Sequence, residues 1–217
     1  MTVRPLSLRA RWTALVLGLV LIAILIPAVH RALLRAAGWA LVASDAPRHA
    51  DVIVVAIDAD GAGVLEAADL LRGGIAPRIA LFSDPPDRID QEFIRRGAPY
   101  YDLAAVELWQ LHALGITSTE LIPRSVAGTH DEASVLPQWC TQKGYHTVLL
   151  VSTTDHSRRM RRVMRRALQG QRTRVIVLYS RYSQFDPDQW WRTRAGTRIE
   201  LIELEKLLLD VVRHPLS

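Results

Sequence analysis

The sequence predicts an α/β fold: a Rossmann-like parallel sheet of about five strands with helices on both faces, preceded by one N-terminal transmembrane helix. Three observations carry this. Short apolar runs without charge recur at 52–57, 79–82 and 147–151, as continuous stretches rather than alternating ones, the mark of strands buried on both faces. Between them the apolar residues fall at helical spacing, so strand and helix alternate and right-handed crossovers follow. Finally, Trp12 to Val29 runs 18 residues without a charge. At 1.5 Å per residue that is close to a hydrocarbon core of about 30 Å.

The N-terminal segment 1–11 is basic, with Arg4, Arg9 and Arg11. The run 12–29 is longer than a usual signal-peptide core and no A-x-A-like site closes it, so a retained anchor is expected. The arginine excess before it over Arg31 and Arg35 after it places the N-terminus in the cytoplasm and the main domain outside, at a single-pass inner membrane. Residues 30–48 read as a juxtamembrane linker, with Trp39 suited either to the headgroup level or to a domain contact. The α/β domain then spans 49–213. Its strands are expected at 51–57, 78–82, 120–123, 147–151 and 174–179. Helices are expected at 66–71, 89–96, 103–114, 129–143 despite Pro137, from 156 onward, and 198–213.

The composition is globular, 49% hydrophobic and 23% charged, with a net charge of +5. That charge suits anionic surfaces, lipid headgroups or phosphorylated ligands. Nucleic acid is disfavoured, because the basic residues lack aromatic interleaving and no helix-turn-helix or zinc-finger spacing occurs. Cys140 is the only cysteine, which excludes an intramolecular disulfide and a thiolate metal cluster.

In open parallel sheets ligands bind beyond the carboxyl ends of the strands. The loops that matter are therefore 58–63, 83–87, 124–130 and 152–157. The richest is the stretch Tyr145 to Arg166, a strand, a polar turn and an arginine-dense helix. Thr154 and Asp155 are good N-cap types, which puts His156 in the helix's first turn. There the positive helix end favours an uncharged ring able to accept a proton, so His156 is the candidate general base. Arg158 and Arg159 beside it could clamp an anion. Arg158, Arg159, Arg161, Arg162, Arg165 and Arg166 share one face, and for most of them a solvated surface is expected.

Asp58 and Asp60 leave the first strand, and Asp84 and Asp87 the second. Alternate carboxylates can hold Mg²⁺, but Asp is also a common turn and cap residue, and that reading outweighs a metal one. No metal ligand and no cofactor is assigned. Gly61 and Gly63 permit close backbone approach, without the third glycine of a dinucleotide fingerprint. Thr129-His130-Asp131-Glu132 fits a T-x-x-E capping box, with Thr129 and Glu132 also facing the ligand edge. The candidate ligand-binding set is Asp58, Asp60, Thr129, Glu132, Thr154, Arg158 and Arg159.

Taken together, GWALVASDAPRHADVIVV (38–55), VLEAADLLRGGIAPRIALFS (64–83), GTHDEA (128–133), VLLVSTTDHSRRMRRVMRRAL (148–168) and FDPDQWWRTRAG (185–196), with Glu203 and Lys206 beyond, resemble the SanA/ElyC/YdcF-like family of bacterial proteins. The strand followed by S-x-x-x-H-x-R-R is the most specific piece. The resemblance implies a Rossmann-like domain, often membrane-anchored, and a role in envelope integrity and peptidoglycan or lipid-carrier metabolism. One branch is linked to binding S-adenosylmethionine. By motif, Thr129, Glu132, His156 and Arg159 correspond to the family's recurring polar positions. The chain departs from the family where Ala56-Ile57-Asp58-Ala59-Asp60 replaces a Leu-Gly-Gly turn, and where Ser83-Asp84-Pro85-Pro86 replaces Ser-Gly. The expected function is binding of a phosphorylated or nucleotide-like ligand at the envelope. The alternatives are a phosphoester hydrolase or transferase with His156 as base, and a non-catalytic interaction protein using the arginine face.

Overall fold

The computed structural model describes residues 26–123 and 126–215, together with residues 12, 13, 15, 16 and 18. In chain order its elements are α1 (Pro27–Ala40), β1 (Val52–Val55), α2 (Asp60–Arg72), β2 (Ile79–Phe82), α3 (Arg88–Arg95), α4 (Leu103–Ala113) and β3 (Thr119–Ile122). Then come α5 (Thr129–Lys143), β4 (Thr147–Ser152), α6 (Ser157–Ala167), β5 (Arg174–Tyr179), a 3-10 turn (Trp190–Arg192) and α7 (Arg194–Arg213). The transmembrane helix expected over 12–29 lies largely outside the described residues. Among the described residues, no helix is long and apolar enough to cross a membrane.

All five strands are parallel, in the order β3-β2-β1-β4-β5. Every residue of β1 and β2 is buried, as are Val148 to Ser152 of β4, which is why these strands carry uninterrupted Val, Ile and Leu. The register aligns Val55 with Leu81 on one side and Val151 on the other, so the strands end level. From β1 the chain winds outward through β2 to β3, then returns across the sheet to β4 and β5. With right-handed crossovers, α2 and α4 cover one face and α5 and α6 the other. The winding reverses between β1 and β4, and the crevice opens beyond their carboxyl ends.

Close helix-to-strand packing sets the position of the first loop. A Cβ on Gly63 would lie 2.5 Å from Ala59 Cβ and 2.7 Å from Val55 Cγ1. The expected role of Gly63, approach of a ligand to backbone, is thus replaced by approach of α2 to β1. Pro137 sits inside α5, as expected, and Gly144 ends that helix in the left-handed conformation.

Residues 30–48 do not form the expected linker. Leu41, Val42 and Ala43 are buried, Leu41 together with Phe185, Trp190 and Leu207 in a second apolar cluster. A Cβ on Gly38 would meet the Pro187 carbonyl oxygen at 2.4 Å, and Trp190 Nε1 donates to the Leu34 carbonyl at 2.8 Å. Asp45 closes the outer edge of β5: its amide donates to the Val177 carbonyl at 2.9 Å, and its carboxylate accepts from the Val177 amide at 3.1 Å. The structured domain therefore begins before the expected boundary at 49. Trp39 makes a domain contact, donating from Nε1 to Asp188 at 3.2 Å.

Candidate functional site

Where the winding reverses, a cleft of about 500 Å³ opens between the exit of β1, the start of α5, and helices α6 and α7. His156 forms its floor. It is the residue before the first turn of α6 rather than within it, and its side chain makes no cap. The ring is instead turned into the cleft and is 2% exposed.

Both ring nitrogens are engaged. Nδ1 lies 3.0 Å from Glu203 Oε2. Burial pushes the Glu203 carboxyl up, but hydrogen bonds from His156 and Lys206 and the charge of Arg159 outweigh it and hold the group down at about 2. An ionised carboxylate only accepts, so Nδ1 carries the proton and a neutral ring presents Nε2 as an acceptor. Nε2 lies 2.9 Å from Thr129 Oγ1 and 3.3 Å from Asp58 Oδ2. Arg159 joins the same set, with Nε and Nη2 at 3.2 and 3.1 Å from Glu203 Oε2 and Nη1 at 3.4 Å from Thr129 Oγ1. Lys206 Nζ donates to Glu203 Oε1 at 2.6 Å.

The capping box at Thr129 and Glu132 is not formed. Gly128 occupies the N-cap position, with φ 158° and ψ −176°, and no side chain caps α5. Tertiary partners have taken both side chains. Thr129 faces His156, and the fully buried Glu132 accepts the Ile57 amide at 2.8 Å, tying α5 to the exit of β1. Glu132 Oε2 has no partner among the described residues. Burial and nearby Asp58 push the Glu132 carboxyl up to about 7, with the Ile57 amide, His156 and Arg159 pulling the other way. Burial likewise raises the Asp58 carboxyl, against the pull of His156.

No protein-family model matches this chain, and no curated protein matches it in sequence.

Asp58, Thr129, Glu132, His156 and Arg159 are thus brought together from three separate stretches of the chain. Three other expected residues are placed elsewhere. Asp60 lines a neighbouring recess of about 530 Å³, shared with Asp58, Asp155 and Glu203. Its carboxyl is raised by burial and by Asp58 and Asp84. Thr154 is neither a cap nor a cleft residue: its amide donates to Ser183 Oγ at 3.2 Å and its hydroxyl to the Ser180 carbonyl at 3.4 Å, bracing the loop against the exit of β5. Arg158 points away, donating to the carbonyls of Trp39 and Val42 at 3.2 and 2.8 Å.

The arginine face of α6 is not simply solvated. Arg161 and Arg165 pair with Asp45 at 3.3 and 2.9 Å on one flank. On the other, Arg162 Nε pairs with Asp210 at 2.7 Å, and Arg166 binds the same carboxylate. Asp84 and Asp87 keep structural roles, as expected. Asp84 accepts the Leu103 amide at 2.6 Å, and Asp87 caps α3 in a capping box completed by Asp90. Among the described residues no group of three or more His, Cys, Asp or Glu is arranged to hold a metal ion.

Glu203 and Lys206 are the site residues that the reading of individual loops misses. The signal lies in two helices read together. Arg159, Arg162 and Arg166 are spaced three and four residues apart, and so is the stripe Glu203, Leu207 and Asp210 on α7. Matching stripes of opposite charge on two amphipathic helices identify the packed pair, and Glu203 then falls beside His156.

Proposed function

We propose that the chain is a membrane-anchored bacterial envelope protein of the SanA/ElyC/YdcF-like kind, whose α/β domain binds a phosphorylated or nucleotide-like ligand in the cleft over His156. Its role lies in cell-envelope, peptidoglycan or lipid-carrier homeostasis, and nucleic acid is not its partner. One observation carries the binding reading. His156, Arg159 and Lys206 converge on the cleft from α6 and α7, opposite the amino end of α5. Helix geometry leaves amides there without intrahelical acceptors, and guanidinium and ammonium groups suit phosphate oxygens. The charge-free run 12–29 supports an anchor in the inner membrane, and the arginine excess ahead of it supports a domain on the extracytoplasmic side. The test is phosphorus analysis and native mass spectrometry of the full chain purified in detergent. A phosphorus-containing molecule retained by the native chain and lost from His156→Ala and Arg159→Ala supports the reading; equal retention by all three overturns it.

A second reading, a phosphoester hydrolase or transferase acting on such a ligand, has its own observation. The Glu203 carboxylate at Nδ1 fixes the ring so that Nε2 faces the cleft as a base. The arginine-face interaction reading has no such support, since Arg158, Arg159, Arg161, Arg162, Arg165 and Arg166 all bond within the chain.

A further inference from the structure

We infer that Thr129 is the nucleophile of this site, taking a phosphoryl group from a phosphoester after His156 removes its proton. The inference rests on the hydrolase-or-transferase reading and goes one step further, naming the atom that bonds to phosphorus. Its basis is a continuous line of three side chains from three separate stretches of the chain: Glu203 Oε2 to His156 Nδ1 at 3.0 Å, and His156 Nε2 to Thr129 Oγ1 at 2.9 Å. A hydroxyl within hydrogen-bond reach of a base, with the base oriented by a third group, is the arrangement that activates an otherwise weak nucleophile.

The surroundings argue against a merely structural hydroxyl. A threonine at the start of a helix ordinarily serves the backbone, yet α5 is entered through Gly128 and Thr129 caps nothing. Its Oγ1 accepts from Arg159 Nη1 at 3.4 Å, and in the tautomer with the proton on Nδ1 its own proton is directed to Nε2. Thr129 is 9% exposed and lines the cleft, so the oxygen is sheltered but reachable. Arg159, contacting both Glu203 and Thr129, is placed to meet charge that builds on phosphoryl oxygens. Glu132, buried beneath with Oε2 unpartnered among the described residues, marks a site not arranged for stability alone.

The step balances with water as the only co-reactant. Thr129 Oγ1 attacks phosphorus while its proton passes to His156 Nε2. The bond from phosphorus to the leaving oxygen breaks, and that oxygen keeps the electron pair and takes the proton from Nε2. Water then gives a proton to Nε2 and attacks the phosphothreonine. The bond from phosphorus to Oγ1 breaks, and Oγ1 recovers its proton. Phosphoester and water become alcohol and phosphate; an acceptor alcohol in place of water makes the same site a transferase.

The full chain in detergent is treated with a biotin-tagged fluorophosphonate, which phosphonylates activated hydroxyls, and the adduct is located by peptide mass spectrometry. Turnover of p-nitrophenyl phosphate and of bis(p-nitrophenyl) phosphate is followed in parallel. The expected adduct is on Thr129, kept in Thr129→Ser and absent from the near-isosteric Thr129→Val. It should form at least a hundredfold more slowly in His156→Ala, and circular dichroism confirms that each variant is folded. No adduct on the native chain, or an adduct on another residue, overturns the inference. Turnover kept by Thr129→Val but lost in His156→Ala overturns it as well, while leaving the hydrolase reading standing with water as nucleophile. Absence of both adduct and turnover sinks the two together.

Discussion

Glu203 meets His156 at 3.0 Å although 47 residues separate them in the chain. The contact joins the last helix to the turn after β4, and it holds one wall of the cleft to its floor. The same carboxylate accepts from Arg159 and Lys206, so one acidic side chain orients the cleft's main cationic groups and offsets part of their charge.

Glu203→Gln is therefore expected to cost on the order of 3 kcal/mol at pH 7. The sign follows from the folded carboxyl being held down near 2, below its ordinary 4.5. Stability from this group is present above the unfolded value and is lost as pH falls through the folded one. The gap between native and variant proteins in urea titrations should be full at pH 6 and close between about pH 4.5 and 2. A gap that stays constant with pH would overturn the charge-based account.

Glu132 has the opposite sign. Its folded carboxyl is raised to about 7, so ionisation opposes folding as pH rises above the unfolded value. Glu132→Gln keeps an oxygen for the Ile57 amide and removes the charge. It should leave stability near that of the native chain at pH 4 and raise it by about 1–3 kcal/mol at pH 8. Thermal melts at the two pH values decide it; destabilisation at both would show that the ionised form is the one the fold requires.

Arg162→Gln with Arg166→Gln strands a carboxylate. Asp210, whose side chain is 7% exposed, is held by both guanidiniums. Removing both should cost about 3–5 kcal/mol, and either alone much less, because the other still pairs. Denaturant midpoints of the single and double variants test this. Additive small losses would mean that Asp210 finds other partners.

Gly63→Ala tests the packing at the first loop. The added methyl would press on Ala59 and Val55 at 2.5 and 2.7 Å, so a loss of about 1–3 kcal/mol is expected. An unchanged melting temperature would show that α2 can move off the sheet.

Topology is tested by a reporter active only in the cytoplasm, fused after Ser217. It should be silent if the run 12–29 anchors the chain with its domain outside. Strong activity would reverse the orientation.

The strands were legible because burial on both faces leaves no room for charge, and β1, β2 and β4 carry none in their interiors. β3 was marginal, since as an edge strand it keeps Glu120 and exposes Leu121. The long last helix starts at Arg194 rather than Arg198, because the Thr193 hydroxyl accepts the Gly196 amide at 2.9 Å. His156 and Arg159 could be assigned to the site from their place after β4. Glu203 could not be read from any single loop, because it arrives only through the docking of α7 on α6. The capping box misled for the same reason: a local pattern specifies what Thr129 and Glu132 are able to bond, and the tertiary partners in reach decide what they do bond. Arg158 is placed by the same rule. One position from Arg159, it turns about 100° around the helix and meets the end of α1 and the segment that follows it.

The seating of α1 against Pro187 and Trp190, followed by the clamp of Asp45 on β5, gives the molecule a mechanical property. Force applied at the N-terminal helix is not absorbed by slack chain. It passes through Gly38 to the turn before α7, and through Asp45 to the outer strand and to Arg161 and Arg165 of α6. These are the elements that carry Glu203 and Arg159. Helix and cleft therefore tilt together like a handle and its blade, and the direction in which the cleft opens is set by whatever grips the handle.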